Sequence, residues 1–142
     1  MTKNEEFLQY TYKNASMGKS SIDQIIKVID DKDLKDVLHE QINDYEHILE
    51  DVTKELEVLK SEPKDISKFA EMMTYFSIKM STVNDNTSSH IAKMLIKGSD
   101  MGVIQITETL SNYKRLKPSI RQIGKNLLEI EENNRTRLKR FL

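Results

Sequence analysis

Leu8, Thr11, Ala15, Gly18, Ile22, Ile25 and Ile29 follow one another at alternating steps of three and four residues. That spacing keeps returning to one face of an α-helix, so it predicts a first helix over about 4–29 with a single seam turned to other helices. The acidic stretch DDKD at 30–33 then supplies a turn and an N-cap. A second helix over about 33–61 has the cleanest period in the chain: Leu38, Ile42, Tyr45, Leu49, Val52, Leu56 and Leu59, with charged residues on most other faces. Pro63 is expected to end it, and Asp65 to cap a shorter helix over about 65–83 whose apolar side is Ile66, Phe69, Met73, Phe76, Met80 and Val83. NDNTSS at 84–89 reads as a loop leading into a cap, followed by a helix over about 88–116. Pro118 stands where a first-turn proline belongs, opening a last helix over about 118–142 that carries Ile120, Ile123, Leu127, Ile130, Leu138 and Phe141.

The order of these helices predicts a topology. Tight turns join the first to the second and the fourth to the fifth, which makes two helical hairpins, and about 25 residues lie between them. The short helix of that connection is long enough, at about 1.5 Å per residue, to traverse most of a bundle. Four glycines and two prolines in 142 residues leave little room for a sheet protein, so the expected fold is all-α in a single domain, 1–142.

The two halves also echo one another. ASMGKSSI at 15–22 and SDMGVIQI at 99–106 share Met-Gly and a later isoleucine, and Gly18 and Gly102 each follow a small residue, Ala15 or Ser99, by three positions. A helix-interior glycine costs about 1 kcal/mol against alanine, so two in matching surroundings imply a packing reason. The expectation is that Ala15, Gly18, Ser99 and Gly102 let the first and fourth helices approach backbone to backbone, because vacant core volume is costly. The alternative is a central cavity lined by neighbours such as Tyr45 and Ile130, able to hold a small apolar ligand. Shifting the second helix by 85 sets Tyr45 against Ile130 and Glu46 against Glu131, as an ancient hairpin duplication would, although shared heptads alone produce some of this match.

Two hairpins joined by a long crossover resemble the ferritin-like four-helix bundle. The stretches YTYKNASMG, DYEHIL and SSHIAKMLIKGSDMG are similar to small, uncharacterised bacterial proteins of that superfamily. The resemblance implies a fold and not an activity. It also implies where a di-iron or di-manganese site would stand: an inward Glu from each of two helices and an inward Glu-x-x-His from each of the others. The seams of the first and fourth helices carry no carboxylate; Asp23 and Glu108 lie off them. Asp44-Tyr45-Glu46-His47 is a near-match, but with Tyr45 on the seam His47 lies about 200° round the helix, facing water. Glu46 and Glu131 sit beside the seam, and three residues later stand Leu49 and Asn134 in place of histidine. Glu46, Glu131 and Asn134 are therefore the candidates for a metal, iron or manganese, in a chain expected to hold none.

Little else points to chemistry. The absence of cysteine excludes disulfides and thiolate sites, and three scattered histidines make no zinc cluster. Seven methionines fall mostly at core spacing, and Ser88-Ser89-His90 reads as a helix cap rather than a nucleophile. Twenty-two basic against twenty-three acidic residues give no field that would draw nucleic acid or an anionic membrane; the basic tail Arg135, Arg137, Lys139 and Arg140 suits the end of a helix. With no leader-like apolar stretch in MTKNEEFLQY and no run near 18 apolar residues, the expected location is the cytoplasm. Phe69, Met72, Tyr75 and Phe76 spread over more than one face of the crossover helix, which predicts a homodimer contact there. The expected role is that of a non-catalytic binding or structural protein. The alternatives are a carboxylate-bridged metal protein or oxidoreductase using Glu46 and Glu131, and a carrier of a small apolar ligand.

Overall fold

A computed structural model describes residues 1–64, 70–71 and 87–142 of the chain. Among these residues there is no strand; four long helices form the architecture: α1 Lys3–Ile26, α2 Lys32–Val58, α3 Ser88–Asn112 and α4 Pro118–Leu138, with a closing 3₁₀ turn at Lys139–Phe141. Apart from residues 70–71, the crossover helix expected over 65–83, with its contact candidates Phe69, Met72, Tyr75 and Phe76, lies outside the described residues. None of the described helices is long and apolar enough to cross a membrane.

Local chemistry sets the helix starts. Thr2, Asp31 and Thr87 each accept a hydrogen bond from a backbone N–H three residues on, those of Glu5, Leu34 and His90. The cap of α3 is thus Thr87 and not a serine of SSH; the Ser88 hydroxyl instead donates to Asp31 at the head of α2. Pro118 occupies the first turn of α4, as its fixed φ and missing N–H favour.

The helix ends come earlier than the apolar period suggests. α1 stops at Ile26, although Ile29 is still buried, and α3 stops at Asn112 with Leu116 still buried. α2 stops at Val58, five residues before Pro63, because Lys60 turns into the left-handed region at φ 56. Ser61 N–H then donates to the Leu56 carbonyl across the turn, which satisfies a helix-end acceptor without any proline.

α1 packs along α2, α3 along α4, and the hairpins join through α2 against α4. Phe7, Leu8, Ile25, Leu34, Leu38, Ile48, Leu56, Ile91, Ile106, Ile120 and Leu138 are fully buried between them. The basic tail clasps this assembly, since Arg135 pairs with Asp100 of α3 at 2.9 Å and Arg137 with Asp44 of α2 at 3.3 Å. After α2 the chain is laid on α1: Gln9 donates to the Glu62 carbonyl and accepts from Lys64 N–H. It returns at Ser88 beside Asp31, the opposite end of α2.

Candidate functional site: a cleft over a buried carboxyl

The paired glycines do not bring α1 and α3 together. A Cβ built on Gly18 would stand 2.6 Å from Tyr45 Cζ, and one on Gly102 would stand 3.0 Å from Glu131 Cδ. Each glycine therefore makes room for a large side chain from the partner helix of its own hairpin: Tyr45 of α2 behind Gly18, Glu131 of α4 behind Gly102. The expected backbone contact is replaced by a cleft of about 290 Å³ between α1 and α3. Ala15 and Ser99 are buried as expected, and Ser99 lies on the cleft wall.

The floor of the cleft is the seam of α2 and α4. In α4 that seam runs through Ile120, Ile123, Gly124, Leu127, Glu131, Asn134 and Leu138. The expected Ile130 is only half-buried, so Tyr45 meets Glu131 and not Ile130. From Leu127 both Ile130 and Glu131 continue a legal helical seam, at steps of three and four, and hydropathy favours the isoleucine. Tertiary packing chose the glutamate, because Gly102 leaves space for it and Tyr45 offers it a donor. Gly124, which has no counterpart in the repeated Met-Gly stretches, is a third close approach: its Cβ would stand 2.5 Å from Phe7 Cζ and 2.9 Å from Leu110 Cδ2.

The polar groups at the floor form a directed chain. Asn134 Nδ2 donates to the Tyr45 hydroxyl at 3.3 Å, and that hydroxyl donates to Glu131 Oε1. Burial pushes the Glu131 carboxyl up from 4.5 to about 7, against the pull of the Tyr45 and Ser99 hydroxyls, which favour its charged form. Burial, then the adjacent Glu131, pushes the Tyr45 phenol well above its usual value, so it stays a neutral donor. Beside this chain lies Gln41, which is 1% exposed and lines the cleft. Among the described residues, Gln41 Nε2 and Asn134 Oδ1 are buried without a hydrogen-bond partner. Such orphans are uncommon in folded proteins and cost about 1–3 kcal/mol each. Around the polar floor stand Ile22, Leu95, Ile106, Leu127, Met17 and Met101.

Of the three metal candidates, Glu131 and Asn134 share this floor. Glu46 does not: its side chain is 51% exposed and pairs with Lys19 at 3.5 Å on the outside of the bundle. Tyr45 occupies the inward position that the repeat alignment offers to Glu46. Among the described residues no group of three or more histidine, cysteine, aspartate or glutamate side chains converges. His39 and His47 are exposed, and His47 faces solvent as its helical phase predicts.

Tyr45→Phe should cost about 1–3 kcal/mol, because it strands Glu131 and Asn134 while leaving the ring in place. Chemical denaturation of the two proteins at the same pH measures this, and an unchanged midpoint would show that the chain contributes nothing.

The chain matches no protein-family model, no curated protein and no solved structure.

Proposed function

We propose that the protein is a ferritin-like bundle that works as a binding protein, holding a small, largely apolar ligand in the cleft between α1 and α3. Two hairpins joined through α2 and α4 support the ferritin-like reading, as does a connection that leaves at the Gln9 end and returns at the Asp31 end. The observation that carries the binding reading is the floor of the cleft. A buried carboxyl and an unpartnered Gln41 amide nitrogen stand at the bottom of an apolar-walled space that Gly18, Gly98 and Gly102 line. A bundle that used this layer only for stability would gain more by filling it with aliphatic side chains, since vacant volume and unpaired polar atoms both cost free energy. Apolar walls with a few convergent polar groups are the usual make-up of a ligand site. Binding is the role these residues serve best, because the polar groups at the floor are aimed at one another and at the open space above them.

The test is titration with hexan-1-ol, followed by NMR shifts of the Ile22, Leu95, Ile106 and Leu127 methyl groups. Saturable shifts at these methyls are expected. Gly98 lies on the cleft wall, and a Cβ there would meet nothing within 4 Å. Gly98→Leu should therefore raise helix stability by up to about 1 kcal/mol while weakening hexan-1-ol binding. If neither hexan-1-ol nor a charged probe of the same chain length produces a saturable shift in the wild-type protein, the binding reading is wrong.

A further inference from the structure

Resting on that reading, we propose that the cleft's ligand is a small organic cation, an alkylammonium whose charge sits on the Glu131 carboxylate and whose chain lies along the apolar walls. The direction of the hydrogen bonds is the first ground. Asn134 donates to Tyr45 and Tyr45 donates to Glu131, so the chain ends on the carboxyl as an acceptor, and the neighbouring Ser99 hydroxyl favours the same charged form. These groups complement a carboxylate anion.

The second ground is what the anion lacks. Among the described residues lining the cleft there is no lysine, arginine or histidine; the polar ones besides Glu131 are neutral tyrosines, serines and amides. A buried carboxylate without a cation carries an uncompensated desolvation cost. Geometry supplies the third ground. Oε1 is occupied by Tyr45, whereas Oε2 lies 3.1 Å from where a Gly102 Cβ would be. The carboxyl thus packs on Gly102 of α3, and both residues line the cleft. An ammonium entering from the cleft supplies the missing charge in one contact. A carboxylate ligand would suit Gln41 Nε2 but would set two acids against each other in the same cleft. A neutral alcohol would leave the charge unmatched.

Hexylammonium, hexan-1-ol and hexanoate separate these cases, titrated into the full chain at about pH 8, where a carboxyl of this kind is mostly ionised while an alkylammonium still holds its proton. Hexylammonium should bind at least about tenfold more tightly than hexan-1-ol, with hexanoate weakest. In Glu131→Gln, which keeps an acceptor for Tyr45, the preference for the ammonium should vanish while hexan-1-ol still binds. That retained binding is the control for an intact cleft. Hexan-1-ol or hexanoate binding as tightly as the amine, or an amine preference that survives Glu131→Gln, would overturn the cation assignment and leave the cleft reading standing. Failure of all three probes would overturn both.

Discussion

Gly124→Ala should destabilise the protein by about 2 kcal/mol, although alanine is the better helix former by about 1 kcal/mol. The added methyl would enter space held by Phe7 Cζ at 2.5 Å and Leu110 Cδ2 at 2.9 Å. Phe7 has nowhere to retreat: it is fully buried and its ring edge abuts Tyr113 at a centroid distance of 5.8 Å. Relief must come from moving α1 away from α4, which loosens every contact along that line. Phe7→Ala alone should cost about 3–5 kcal/mol by opening a cavity in the core. In that background Gly124→Ala should become neutral or stabilising, since the obstructing ring is gone and the propensity gain remains. Urea unfolding of the four proteins closes the cycle. Equal costs of Gly124→Ala in both backgrounds would mean that Phe7 does not set the limit.

Stability should fall as pH rises from about 4.5 to about 7, by about 3 kcal/mol in all. In the folded chain Glu131 keeps its proton until about pH 7, whereas the unfolded side chain releases it near 4.5. The native state therefore binds more protons across that window. The groups facing this carboxyl are Tyr45 from α2 and Ser99 from α3, both neutral throughout, so they do not cancel the slope. Asp31 and Glu6 act in the opposite sense and at lower pH. The Ser88 hydroxyl beside Asp31 and Lys3 beside Glu6 hold those carboxyls below their usual values, so their contribution is lost only on further acidification. Glu131→Gln should flatten the profile between pH 4.5 and 7 and make the variant the more stable protein at neutral pH. Denaturation midpoints at pH 5 and pH 7.5 measure this directly. A wild-type profile that is flat or rises over that range would place Glu131 in contact with water or with a cation.

Together these two results would separate the structural role of the glycines from the role of the carboxyl beneath one of them. Gly124 exists for a fully buried ring, and its replacement touches stability alone. Gly102 exists for Glu131, whose burial the bundle sustains at a cost in free energy. The ligand site proposed above would account for such a cost in the centre of a small domain.

The period of the apolar residues determined the four described helices and most of their inward faces, because recurrence at steps of three and four is the period of an α-helix. Leu8, Ala15, Ile22, Leu38, Val52, Leu56, Ile123 and Leu127 are all buried as that period requires. The cap within DDKD and the first-turn proline at 118 were legible because each acts on its own helix start. The end of α2 was not, because it depends on Lys60 accepting a left-handed conformation that its sequence does not advertise. The matched glycines announced a close approach but not its partner; a missing Cβ records that something comes near, and only the packed hairpins show that it is Tyr45 and Glu131. The inward choice of Glu131 over Ile130 also belonged to tertiary structure. Helical spacing permits both, hydropathy prefers the isoleucine, and only a tyrosine donor from α2 and the space left by Gly102 in α3 tip the balance toward the acid.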